Sequence, residues 1–262
     1  MEERYRREIV EVSHALHRRG WVANHDGNLS ARLDPADPGR LLATPTAVSK
    51  GDVTPESLIV VGADNAVLQG TRKPFSELRL HRVAYAARPD VCVVVHAHPP
   101  TATGFAVAGV PLGPPFMAEP VVSLGETVPL VPYGLVGSAE LDANLSAALA
   151  SADAVMLAGH GVLTVGPSFE LALLRMELVE HLCKIALVAR QLGGPVPLPR
   201  ADVDRLLEQR ARAGLGPAPA PRPSSEGDGF SWTSPRTAPA SPSAGGADVS
   251  ALVAEALKRF GR

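Results

Sequence analysis

Apolar residues from Glu3 to Arg19 recur at helical spacing and Gly20 follows them, so a helix stopped by glycine is expected there. Leu41 to Thr44 and Leu58 to Val61 read as short strands, with Gly62-Ala63-Asp64-Asn65 a turn into Val67-Leu68. Pro74 to Ala87 reads as a helix whose first turn holds Pro74, where a missing N–H costs little. Val91 to His98 is a strand halted by Pro99-Pro100, and helices are expected over 101–108 and 139–150. An apolar strand over 154–158 and a long amphipathic helix over 168–192 complete the body. The segments 26–32 and 44–52 read as polar loops beside strands, and no internal repeat is present.

The pattern breaks near residue 214. More than half of residues 215–246 are Pro, Gly or Ser, too little apolar material to offset the entropy of ordering the chain. Helical spacing then returns: Val249, Leu252, Val253, Ala256, Leu257 and Phe260 fall on one face, between an N-cap at Asp248 and a stop at Gly261. A helix this short is marginal alone in water, so its apolar face needs a partner. The expected organisation is a globular domain over 1–213, a disordered linker over 214–247 and an amphipathic helix over 248–262.

Composition narrows the class. The 262 residues are 45% hydrophobic and 20% charged with a net charge of -2, which suits a soluble α/β protein and gives no support to nucleic-acid binding. No apolar run approaches the ~18–20 residues of a membrane-spanning helix, and the charged N-terminus lacks the apolar core of a secretory signal. Cys92 and Cys183 are far apart and outside any CxxC, so neither a disulfide scaffold nor a thiolate zinc site is expected, and a cytoplasmic location is.

The chemistry concentrates in a few residues. Alternate side chains of a strand share a face, so His96 and His98 can converge on one metal ion or stand as two hydrogen-bonded histidines at a strand end. His160, between Gly159 and Gly161, sits where another strand ends. Three such histidines match the protein-ligand count of a catalytic zinc site with an open position. Glu77, near a helix start, reads either as a cap or as a general acid/base beside a metal, and Ser76 with neighbouring N–H groups can hold an anion. His14, His17, His25, His81 and His181 fall mainly in helical patterns and read as ordinary helix residues.

In this order and spacing, Gly27-Asn28-Leu29-Ser30, Thr44-Pro45-Thr46, Pro74-Phe75-Ser76-Glu77, His96-Ala97-His98 and Gly159-His160-Gly161 resemble the class II aldolase/adducin family. The resemblance runs from about Glu3 to about Leu192. It implies a three-layer α/β/α fold around a mostly antiparallel sheet, assembled as a homotetramer with sites at subunit interfaces. It also implies zinc on His96, His98 and His160, Glu77 as the catalytic carboxylate, and Asn28, Thr46 and Ser76 in a phosphate pocket. The adducin branch lacks the histidines, so their presence points to an enzyme.

The implied function is a zinc-dependent aldolase that cleaves a ketose 1-phosphate, of the fuculose or rhamnulose kind, to dihydroxyacetone phosphate and an aldehyde. A dehydratase, decarboxylase or epimerase on the same scaffold is the enzymatic alternative, and an adducin-like interaction module the non-enzymatic one. Four positions depart from the family pattern. Phe75 replaces a serine, Asp26 brings negative charge near the phosphate pocket, Ala47 replaces a glycine, and Phe116 stands in place of a tyrosine. Arg72, Lys73 and Arg79 are the cations available to compensate. The tail resembles the encapsulation peptides of bacterial microcompartment cargo, implying a shell protein as partner for residues 248–262; a helix folded back on its own tetramer is the alternative.

Overall fold

Eight strands build the centre of the molecule: β1 (Asn28–Asp34), β2 (Asp37–Ala43), β3 (Ile59–Val61), β4 (Val67–Gln69), β5 (Val93–Ala97), β6 (Leu130–Val131), β7 (Ala154–Leu157) and β8 (Val162–Gly166). They form one sheet in the order β4-β3-β2-β1-β5-β8-β7-β6, antiparallel at every pairing except β6 with β7. This computed structural model describes residues 2–34 and 36–217, all within one compact unit. The expected linker beyond Pro217 and the C-terminal helix over 248–262 lie outside the described residues.

The two-residue period of the strands divides the core into two layers. Val93, Val95, Ala154, Met156 and Val162 face one apolar cluster with α1 (Glu2–Arg18), α3 (Pro100–Val107) and α6 (Phe169–Gln191). Val94, Val155, Leu157, Leu163 and Val165 face the other with α2 (Leu78–Ala87) and α5 (Ala139–Leu149). This is the expected three-layer α/β/α arrangement around a mostly antiparallel sheet. In α6, Phe169, Ala172, Met176, Val179, Cys183 and Ala186 form the buried stripe, and Ser168 caps the helix by accepting from the Leu171 N–H. Each large apolar side chain fully buried there contributes about 1.5–3 kcal/mol. Among the described residues no helix is long and apolar enough to cross a membrane.

Two expectations are corrected. Residues 26–32 are not a polar loop: from Asn28 they form β1, between β2 and β5 at the centre of the sheet. The second helix begins at Leu78 rather than Pro74, because Pro74 instead bridges to Pro45 and the Lys73 carbonyl accepts from the Thr46 N–H at 3.0 Å. Phe75 is thereby turned into the α2/α5 cluster. The strands β6 and β8 and the helices α4 (Ala118–Leu124) and α7 (Arg200–Arg212) carry no expectation from the sequence pattern.

Helix α7 buries little apolar surface, Val203 being its buried apolar residue, and a charge cluster holds it instead. The fully buried Asp153, at the start of β7, meets Arg88 at 2.9 Å, Arg175 at 2.8 Å and Arg210 at 2.6 Å. Arg210 also donates to the carbonyls of Val122 (2.9 Å) and Ser123 (2.6 Å), tying α7 to the end of α4. Removing the only carboxylate that all three guanidiniums share leaves buried positive charge uncompensated. Asp153→Asn is therefore expected to cost about 3–5 kcal/mol in denaturant unfolding; a loss below about 1 kcal/mol would show that the cluster contributes little.

Candidate metal centre

Strand pairing assembles the centre. The β1–β5 register sets Asn28 opposite His96, and β5–β8 sets Leu163 opposite His96 on the other side. His98 lies just past the end of β5, where its N–H donates to the Trp21 carbonyl at 2.9 Å. His160 sits in the turn between β7 and β8. Glycine is required beside it: a Cβ at position 161 would lie 2.4 Å from the His98 ring and 2.7 Å from the Ala97 carbonyl. Gly27 has φ +68°, and a Cβ there would lie 2.5 Å from Val22, so the turn into β1 needs glycine for both reasons.

The partners behind the rings define their tautomers. His96 Nδ1 lies 2.9 Å from the Val162 carbonyl and His98 Nδ1 lies 2.9 Å from Asp26 Oδ2. Both partners can only accept, so each Nδ1 carries a hydrogen and each ring turns its Nε2 toward the other. Those two Nε2 atoms face each other at 3.2 Å. Burial drives the His96 pKa down to about 3, against the pull of the Glu77 carboxylate, so its lone pair stays available. Two nitrogens so placed need a cation between them, a proton or a metal ion. One ligand atom each from His96, His98 and His160 falls within a span of 4.8 Å, a group that fits a metal ion.

Glu77 completes the cluster from the N-cap of α2. Its Oε1 lies 2.8 Å from His160 Nε2 and its Oε2 lies 3.5 Å from His96 Nε2. Burial pushes its pKa up. The hydrogen bond from His160, the electrostatic influence of the His96 and His160 rings and the Asn28 amide together outweigh that and hold it below the usual carboxylate range. Glu77 is thus an ionised carboxylate at the mouth of the histidine group.

The remaining expected residues are distributed unequally. Asn28 is buried, with Nδ2 donating to Glu77 Oε2 at 2.6 Å and Oδ1 facing His81 Nε2 at 2.7 Å. Thr46 and Ser76 are exposed on two segments that the Pro45–Pro74 bridge brings together. The ring of Phe75 packs edge-on to His81 at 5.0 Å and lies in the core. Asp26 is committed to His98 and to the Ala23 N–H, so its charge serves the histidine. Arg79 is paired with Asp142, and Phe116 lines a separate small pocket with Leu112 and Leu182. A cleft of about 210 Å³ opens beside Glu77 and His160, lined by Tyr133, Leu135, Val136, Leu141 and Leu157 and, among the described residues, by no lysine or arginine.

Sequence reasoning missed three contributors: Asp26 as a histidine partner, His81 and Lys50. Lys50 is 1% exposed, and its Nζ donates to the carbonyls of Val48 (2.9 Å) and His25 (3.4 Å), joining the loops that carry Thr46 and Asp26. Burial lowers its pKa to about 8, with the carboxylates of Asp26 and Glu77 opposing that shift. No spacing rule marks a lysine that folds inward; only its burial does.

The family model for the class II aldolase and adducin N-terminal domain matches residues 7–187. The chain is 31% identical over 201 residues to 5-methylthioribulose-1-phosphate/5-deoxyribulose-1-phosphate aldolase of Rhodospirillum rubrum, covering 77% of this chain and 88% of that protein. It is 32% identical over 192 residues to 3-oxo-tetronate 4-phosphate decarboxylase of Escherichia coli K12, covering 72% and 88%. Among solved structures, an L-fuculose 1-phosphate aldolase superposes with a TM-score of 0.70 at 27% identity, covering 78% of this chain and 94% of that one.

Partners that orient a metal-binding imidazole typically account for 10–100-fold in metal affinity. If the histidine group binds a divalent cation, Asp26→Asn is expected to weaken that binding by about the same factor in chelator competition. An unchanged affinity would show that Asp26 does not orient His98.

Proposed function

We propose that this chain, which belongs to the class II aldolase and adducin family, is a zinc-dependent aldehyde-lyase that cleaves a ketose 1-phosphate to dihydroxyacetone phosphate and an aldehyde. The observation that carries this reading is the convergence of three imidazoles, two of them with their Nδ1 atoms committed elsewhere, on a point beside an ionised carboxylate.

His96, His98 and His160 would hold the zinc ion. Bound there, zinc supplies a Lewis acid for the oxygens of the ketose. In the cleavage direction the C3–C4 bond breaks and its electron pair stays on C3. The C4 hydroxyl loses its proton as it becomes the aldehyde, and C3 gains one. Glu77 exchanges the proton at C3, where its fixed position supplies most of the advantage. Asn28 holds Oε2 of that carboxylate, and Oε1, which meets His160 Nε2 here, would be the exchanging oxygen once that imidazole turns to the metal. Thr46 and Ser76, with the Asn28 segment, receive the phosphate.

The apolar cleft beside Glu77 and His160 favours a substrate whose far end lacks hydroxyls. The named substrates of the R. rubrum relative, a 5-deoxy and a 5-methylthio sugar phosphate, are of that kind. A sugar-acid phosphate, as in the name of the E. coli decarboxylase, would bring a carboxylate with no cationic partner in that cleft. The enzyme works as a homotetramer, and its residues 248–262 serve as an encapsulation peptide for a microcompartment shell protein. The amphipathic pattern of that segment supports the latter reading. A fluorescent protein fused to residues 247–262 is expected to form puncta only when shell proteins are co-expressed; diffuse signal in both conditions refutes the tail's role.

Zinc-supplemented protein is to be assayed with 5-deoxyribulose, 5-methylthioribulose, fuculose and rhamnulose 1-phosphates and with 3-oxo-tetronate 4-phosphate, scoring triose phosphate and carbon dioxide. The deoxy and methylthio ketoses are expected to turn over fastest, with triose phosphate as product. Glu77→Gln is expected to slow cleavage by about 10²–10⁴-fold, and His96→Ala to lose zinc and activity together. Undiminished turnover in both variants sinks the mechanism, and release of carbon dioxide without triose phosphate assigns the decarboxylase reaction instead.

A further inference from the structure

Behind Glu77 lies an unbroken run of buried polar side chains. Asn28 Nδ2 donates to Glu77 Oε2 at 2.6 Å, and Asn28 Oδ1 faces His81 Nε2 at 2.7 Å. His81 Nδ1 faces Ser30 Oγ at 2.7 Å, and Ser30 Oγ faces the Tyr85 hydroxyl at 2.9 Å. Asn28 and Ser30 are alternate residues of β1 and so share a face, while His81 and Tyr85 are four apart on α2. Ser30 and His81 are completely buried and Tyr85 nearly so.

Elementary chemistry permits one assignment of hydrogens. The Asn28 amide turns its NH₂ to Glu77 and its carbonyl to His81. His81 must then donate from Nε2. Burial drives its pKa down to about 3, against the Glu77 charge, so the ring is neutral and Nδ1 is bare. Nδ1 accepts from the Ser30 hydroxyl, which is left free to accept from Tyr85; the Ser30 carbonyl, also 2.9 Å from the Tyr85 oxygen, is its other acceptor. Reversing the Asn28 amide would set an oxygen against a carboxylate and an NH₂ against an N–H. An amide does not pass protons along, so the run can orient but not conduct.

We infer that Ser30, His81 and Tyr85 are positioning residues: through the tautomer of His81 they lock the Asn28 amide onto Oε2 of Glu77, and so present Oε1, the oxygen that faces His160, for proton exchange with substrate. This rests on the reading of Glu77 as the acid/base. The Phe75 ring, edge-on to His81, supports the imidazole from its apolar side.

His81→Gln keeps both bonds, because a glutamine amide can donate to Asn28 and accept from Ser30. His81→Leu removes both. In the full-length zinc-loaded enzyme, His81→Leu is expected to lower kcat about 10–100-fold with KM and zinc content unchanged, and His81→Gln to recover most of the loss. In crystals, the Asn28–Glu77 contact is expected to persist in the Gln variant and to be lost in the Leu variant. Equal loss of kcat in the two variants, or an intact contact in the Leu variant, overturns the inference. Should the Leu variant fail to fold, Ser30→Ala serves: a lowered kcat at constant KM supports the run, and an unchanged kcat overturns it. The crystal contact is scored without turnover, so full activity of Glu77→Gln would remove the catalytic reading and leave this test standing.

Discussion

Unshared electron pairs repel when they are brought together away from water, and the centre of this structure is organised around holding several of them at one point. The Nε2 atoms of His96 and His98 approach to 3.2 Å, with a carboxylate alongside. Each is fixed from behind: a backbone carbonyl of β8 takes the His96 Nδ1–H, Asp26 takes that of His98, and Asn28 steadies Glu77. The sheet supplies these supports because its strand order brings β1, β5 and β8 side by side. Register, not loop conformation, puts Asn28 across from His96. A divalent cation would relieve such an arrangement, which is the physical argument for a candidate metal centre.

Parity made part of this legible from the chain. His96 and His98 share a strand face, and glycines on both sides of His160 mark a turn that must come close to something. The two-layer core was equally open to reading, since Val93 to Ala97 alternates between the apolar clusters. The family resemblance added the roles expected of Glu77 and of Asn28, Thr46 and Ser76, which spacing alone left open.

What stayed hidden was hidden for identifiable reasons. β1 carries Asn28 and Ser30 on a face that is buried, against the usual rule that polar strand positions face water, so its pattern resembled a loop. Those inward polar residues are the ones that meet His81, Tyr85 and Glu77 from α2. The late start of α2 was concealed because Pro74 suits a first helical turn as well as it suits a bridge to Pro45. α7 escaped notice because Arg210, through Asp153, does the anchoring that apolar residues do elsewhere. Burial of a charged group leaves no periodic trace, and Lys50 shows the same limit.

The Gly-His-Gly turn has a consequence for how this gene can vary. A Cβ at position 161 would come within 2.4 Å of the His98 ring, which must stay undisturbed. A single-nucleotide change to alanine there would move a histidine far off in sequence, although neither partner is large or charged. Mutational drift is therefore filtered at position 161 by geometry rather than by chemistry, and natural variants of this chain should carry the smallest residue there even where the substrate has changed.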